Sequence, residues 1–393
     1  MKNYIFKPII LLFLLLNFLY AADVTKDIRL IGNPSKSQFG DGEAAYSRNV
    51  WDLQVYNGLL FVGAGNSANE GPSKNSGNVD LHVYNPKKDK FYKETTIYDD
   101  QVDIFKLLDN KLFIPGHDAT GSWNWGNFYQ REQNASWKMY RNIPKALHVY
   151  DLEYRDKTLF AGVGLYEGAA VGMTKDLGKN WEIIKLGRSR VYAFMSIGDR
   201  LFALKKFKRT SKPYFSVAEY RSGNFVPRYD ISIFDFFPST KFDIKYSRAT
   251  RIINFDDKAI YLGAYKYNSH QTKPFGFYEA VLKNNKIDAK KVRLKEGYIP
   301  RDIIKRGDII YLLTSKTTLK NTHIEVLEFG KKNLTTYKEL FSFEYPTFAR
   351  SFELLEGVFY FGMGCDVDEG DNWKISDIKK ETGDIIAYRW TKE

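Results

Sequence analysis

Three arginines, Arg251, Arg301 and Arg350, recur 50 and 49 positions apart in a chain of 393 residues. A guanidinium presents a planar fork of donors that matches carboxylate, sulfate or phosphate oxygens two at a time. Three brought to one place would repel one another unless acids or an anionic ligand stood between them. Arg48 and the indole of Trp51 occupy a related position near the start, and Asp118 lies in a glycine-bounded loop with Trp123 and Trp125. The chemistry to expect is capture of an anion beside aromatic surface.

Proton-moving candidates accompany them. Asp52 and Asp103 could serve as an acid/base pair for glycoside hydrolysis, given a suitable separation. His117 and His148, with tyrosines and arginines near, would suit elimination from a uronic acid, where arginine neutralises the carboxylate and His or Tyr moves the proton. Asp366, Asp368 and Asp371 alternate around Gly370 as Ca²⁺-binding loops do, without the distal glutamate of the full loop signature. No other cofactor is expected. Glu132-Gln133-Asn134-Ala135-Ser136 fits an extended N-glycosylation pattern with Asn134 as acceptor.

A sevenfold repeat must position these groups. Phe61, Phe113, Phe160, Phe202, Tyr261, Tyr311 and Tyr360 each sit inside an apolar run. Eight residues before them stand Leu53, Phe105, Leu152, Phe194, Ile253, Ile303 and Phe352; turn formers precede the anchors by four residues in all but the last unit, which has Glu356. This is a half-exposed strand hairpinned to a buried one, repeated at the spacing of a four-stranded blade. The expectation is an all-β protein, a single β-propeller over residues 22–393, with seven four-stranded blades. The last segment stops one strand short, and residues 27–31 can supply that strand, closing the ring between the termini. Ten residues before each anchor, where the innermost strand begins at the channel, lie Trp51, Asp103, Tyr150, Tyr192, Arg251, Arg301 and Arg350.

Thr174-Lys175-Asp176-Leu177-Gly178-Lys179-Asn180-Trp181 fits an Asp-box, with Thr174, Asp176, Gly178 and Trp181 at its defining positions. The box resembles the BNR repeats of the sialidase-like propellers, and it implies a hairpin tie remote from any ligand. The arginines are similar to the triad that holds the substrate carboxylate in that family. Arg48-Asn49-Val50-Trp51 stands where the family opens its first blade with arginine, isoleucine and proline.

Residues 1–21 carry Lys2 and Lys7, an apolar run and a small residue at the end, the pattern of a secretory signal too short to be a membrane span. A periplasmic or secreted location follows. With Cys365 as the single cysteine, no internal disulfide can form. The net charge of +12 favours anionic partners, and export disfavours nucleic acid. These features lead to an exported monomer that binds an acidic saccharide or other anion. A glycoside hydrolase or uronate lyase is the first alternative, and a protein-interaction scaffold of the cell envelope the second.

Overall fold

The computed structural model describes residues 22–391 except 69–72, 208–213, 239, 241–245, 256, 267–272, 331–332 and 367–373. The expected signal segment, Asp368 and Asp371 lie outside the described residues. Seven sheets, antiparallel apart from one added edge strand, form seven blades of a β-propeller, each running outward from an inner strand at the channel. The inner strands are Asp52–Tyr56, Lys106–Leu108, Ala146–Arg155, Val191–Ile197, Tyr246–Asn254, Ile299–Arg306 and Ala349–Leu355.

The anchors explain the repeat. All seven aromatics lie in second strands and are at most 3% exposed. Each belongs to an apolar core, and the larger cores are shared between neighbouring blades: Phe61 packs with Phe105 and Ile114 of the second blade, and Tyr311 with Phe352 and Phe359 of the seventh. Burial therefore couples each blade to the next. The tight turns before the anchors need left-handed backbone. Asn57, Asp109, Asp156, Gly198 and Gly307 have φ between 49° and 61°, and Glu356 adopts φ 51° without a turn-forming side chain.

Closure takes place as expected between the termini. Arg29–Gly32 pairs antiparallel with Ile385–Arg389 and completes the seventh blade. Ala22–Asp23 adds a feature the repeat does not announce, a short parallel strand on the outer edge of the sixth blade against Phe341 and Ser342. Among the described residues no helix is long and apolar enough to cross a membrane.

A second stitch runs around the channel. Asp52, Asp151 and Asp302 each accept the backbone N–H of the following blade, from Phe105 at 2.7 Å, Phe194 at 2.7 Å and Phe352 at 3.1 Å. A buried carboxylate bonded this way fixes the relative height of two inner strands.

The Asp-box forms its hairpin at the end of the third blade away from the channel mouth. Thr174 Oγ1 donates to Asp176 Oδ1 and accepts the Gly178 N–H at 2.9 Å, while Asp176 accepts the Asn180 N–H at 3.0 Å. Those bonds, led by the one from the Asn180 backbone, hold the Asp176 carboxyl down at about 2. Trp181 donates to Asn142 at 3.1 Å and meets Phe128 edge-on. Asn134 is exposed at the tip joining the third and fourth strands of the second blade, where it accepts from the Ser136 N–H and hydroxyl. That tip also points away from the mouth.

Candidate functional site at the channel mouth

Each inner strand starts at one end of the ring and each second strand returns there, so the leading residues and the loops between second and third strands share a face. A cavity of about 450 Å³ opens on it, lined by Trp51, Asp103, Tyr150, Tyr192, Arg251, Arg301 and Arg350 among others. All seven positions singled out ten residues before the anchors converge here. The volume falls in the range of about 300–1,000 Å³ usual for small-molecule sites.

The cavity is cationic. Among the described residues Lys106, Arg248, Arg251, Arg301 and Arg350 line it together with the carboxylates of Asp103 and Asp151, while Asp52, Asp302 and Asp366 reach three of the arginines from outside the lining. Their individual pairings differ. Arg251 is turned across the channel: its Nη1 reaches Asp52 of the first blade at 2.8 Å, its Nη2 donates to the Trp51 carbonyl, and its Nε stands 3.4 Å from Asp302 of the sixth. With three of its nitrogens engaged, Arg251 ties the ring from within. Burial pushes the Asp52 and Asp302 carboxyls up, and Arg251 opposes that push. Asp52 is absent from the cavity lining, and both its oxygens are engaged, one by Arg251 and one by the Phe105 N–H.

Arg301 and Arg350 share one acid. Asp366 lies 3.3 Å from Arg301 Nη1 and 2.9 Å from Arg350 Nη2. Burial acts to raise the Asp366 carboxyl, but Arg350 and Arg301 outweigh it and hold the group below its ordinary value. Of the three aspartates that suggested a Ca²⁺ loop, the one described is an arginine counter-ion. Each guanidinium also faces aromatic surface, Arg350 4.3 Å above Trp51 and Arg301 3.7 Å above Phe348. Across the mouth, Arg248 lies 4.6 Å above the ring of Tyr192, and Lys106 pairs with Asp151 at 2.9 Å.

Beside the cations stands a group able to move protons. His117 Nδ1 is 3.9 Å from Asp103, and its ring meets Tyr150 edge-on with centroids 5.1 Å apart. Burial, helped by His148 and Arg248, pushes the imidazole below its ordinary value despite Asp103, which favours the neutral ring. Burial and the neighbouring Tyr192 push the Tyr150 phenol well above its own. The site thus offers a proton acceptor and a retained proton donor. His148 is behind them, its Nδ1 3.0 Å from the His117 carbonyl and 3.4 Å from Asp118. His148 and Asp118 support the His117 loop and do not line the cavity.

Two other groups lie elsewhere. Arg48 is 1% exposed, pairs with Asp41 at 3.0 Å and donates to the Lys380 carbonyl, outside the cavity lining. Trp123 and Trp125 are on the mouth face but also outside the cavity, 49% and 45% exposed.

Position four after the anchor is a signal that the sequence reading passed over. It holds Gly65, His117, Ser315 and Gly364, and each meets the leading residue of its own blade. Trp51 Nε1 donates to the Gly65 carbonyl at 2.7 Å, Asp103 approaches His117, and Arg301 Nε donates to Ser315 at 2.8 Å. At Gly364 a Cβ would come within 2.8 Å of Arg350 Nε, so the missing side chain makes room for the guanidinium. Lys106 was also missed, because nothing in a short strand marks a lysine whose ammonium turns inward.

No family model matches the chain, and no curated protein matches it. Solved structures do. A GH74 enzyme of Niastella koreensis superposes with a TM-score of 0.52 at 9% identity, covering 90% of this chain and 56% of that one. A polysaccharide lyase of family PL25, an ulvan lyase bound to -[GlcA(1-4)Rha3S]-, gives 0.51 at 10% identity over 89% of this chain and 94% of its own. The extracellular domain of a putative one-component system of B. thetaiotaomicron gives 0.50 at 9% identity, over 91% and 43%. Likeness at such identities is likeness of fold, and it places this chain among the β-propellers, with seven blades of its own.

Proposed function

We propose that this is an exported propeller that holds an acidic saccharide, a uronic acid unit foremost, in the cationic mouth of its channel. One observation carries the reading: Arg301 and Arg350 both line the cavity and, among the described residues, share the single carboxylate of Asp366. A ligand carboxylate relieves that imbalance, and Trp51, Tyr150 and Tyr192 offer ring surface for the sugar. The signal-like segment 1–21 and an extracellular domain among the structural neighbours support an exported setting. The Asp-box hairpin supports a kinship with the sialidase-like propellers.

Calorimetric titration with glucuronate, galacturonate and sialate tests the reading, with and without Ca²⁺. Arg350→Ala should weaken binding by about tenfold to a hundredfold, the worth of a charged hydrogen bond. Wild-type protein that binds none of these acids, alone or in oligosaccharides, would end the proposal.

The pairing of His117 with Tyr150 favours a second reading, a uronate lyase. Neutral His117 takes the proton from the carbon next to the carboxylate, the C4–O4 bond breaks, Tyr150 protonates the departing oxygen, and an unsaturated uronate remains. Arginine at the carboxylate stabilises the charge that develops. The product absorbs in the ultraviolet, so turnover is directly visible. His117→Ala should abolish it, a loss of about a hundredfold or more for a general base, while leaving uronate affinity within about threefold, since the arginines are untouched. Binding without any absorbance change across uronate polymers would leave the protein a binder.

A further inference from the structure

We propose a second carbohydrate subsite on the second blade: an aromatic shelf formed by Trp123 and Trp125, over which an acidic polysaccharide runs as it leaves the channel mouth. This inference rests on the cavity reading above and extends it from a single sugar to a chain.

The shelf is unusual in being exposed and held at once. Nearly half of each indole faces solvent, although large aromatic surface of this kind costs solvation on a monomer. Yet the loop that carries it is stitched down at almost every residue. The Asp118 carbonyl accepts the Asp100 N–H at 2.8 Å, and Ala119 bridges to Asp99. Thr120 donates to Asn78 at 2.6 Å, and the Ser122 carbonyl accepts from Arg141. Trp123 is itself fixed by its Nε1, which donates to the Ala119 carbonyl at 3.0 Å. Trp125 begins the strand Trp125–Arg131 opposite Pro144. A loop tied down this heavily spends its entropy on folding, and the indoles it presents need little further ordering to bind.

Position and charge identify the occupant. The loop leaves the cavity wall at His117 and reaches Trp123 six residues later, which keeps the indole within about 22 Å of that wall on the same face. The apolar faces of pyranose rings stack on indoles, whereas the hydroxyl edges stay in water. The Lys145 backbone N–H donates to the Asn124 carbonyl at 2.8 Å and ties the loop to the third blade's entry, where the exposed Lys145 also acts on Glu167. A repeating acidic polysaccharide has these properties together: an anionic group for the cavity and ring faces for the tryptophans.

The test compares glucuronic acid with a uronate tetrasaccharide on wild-type protein, on Trp123→Ala/Trp125→Ala and on Arg350→Ala, by calorimetric titration. Wild type should prefer the tetrasaccharide by about tenfold, the worth of two stacked rings. The double variant should lose that preference while binding the monosaccharide unchanged, a separation that damage to the fold would not produce. A preference kept in the double variant, with both ligands weakened by Arg350→Ala, would overturn the shelf and leave the cavity standing. Wild type that binds neither ligand would overturn both.

Discussion

Arg251→Met should destabilise the ring by roughly 3–5 kcal/mol at pH 7.5, the cost of leaving buried charge without its partner, and much of that loss should vanish at pH 5. Arg251 lies between Asp52 and Asp302, and the side chains of all three are at most 16% exposed. Methionine keeps the stem and the volume but removes the charge, so two acids face a low-dielectric interior alone. Burial already pushes both carboxyls up, with Arg251 in opposition. Each acid therefore holds its proton more tightly folded than unfolded, and the native state takes up protons as pH falls from neutrality toward about 4. Stability contributed by these groups is present at low pH and is lost as pH rises through that window. Without Arg251 the upward push is stronger, so the deficit must grow with pH. Urea unfolding of wild type and variant at pH 5 and 7.5 measures it. An equal deficit at both values, or one below about 1 kcal/mol at pH 7.5, would show that the ion pairs do not tie the ring.

The contrast between Arg251 and its two counterparts marks the limit of what spacing conveys. Arg251, Arg301 and Arg350 occupy the same place in the repeat, and all three line the cavity. All three inner strands slip register across their arginine, but of the three only Arg251 takes a left-handed φ, 49°. That local irregularity sends its side chain across the channel, where it serves the ring more than a ligand. The slip itself follows the repeat, recurring across Tyr150, Tyr192, Arg251, Arg301 and Arg350; periodicity cannot signal the one residue within it that turns left-handed, because side-chain spacing carries no record of a single φ. The anchors were legible for the opposite reason. A residue that must be buried between two blades can be little other than apolar, and the pattern returns with every blade. Asp366 illustrates a third case. Its spacing to Asp368 and Asp371 resembled a cation loop, yet two guanidiniums from different blades take its carboxylate, a contact between residues far apart in the chain. The Asp-box needed no such contact, since its bonds are local, and it could be read directly.

The largest effect should come from the segment that closes the ring. Deleting residues 22–32 removes the outer strand of the seventh blade and the parallel strand on the sixth. It also takes Val24 and Ile28 from the core between those blades, and Ile31 from the core shared by the seventh and the first. Three partly or fully buried aliphatic side chains account for roughly 5 kcal/mol, or a fall in Tm of about 6 °C for a chain of this length. Beyond that loss, Ile385–Arg389 becomes an open edge strand whose neighbours are apolar, an invitation to pair with another copy. The truncated protein should therefore melt early and aggregate on heating. Moving the same residues to the other end separates the two causes. In the fold Arg29 is paired with Ala387, so residues 27–33 placed after position 391 through a short turn would form an ordinary hairpin with the strand they now meet from a distance. The hairpin would restore the edge bonds, Ile28 and Ile31, leaving Val24 and the parallel strand absent. Most of the lost stability should return with it, as should a single cooperative transition in the calorimeter. If the rearranged chain melts no higher than the truncated one, edge pairing is not what closes this propeller, and Val24 with its short parallel strand carries the closure instead.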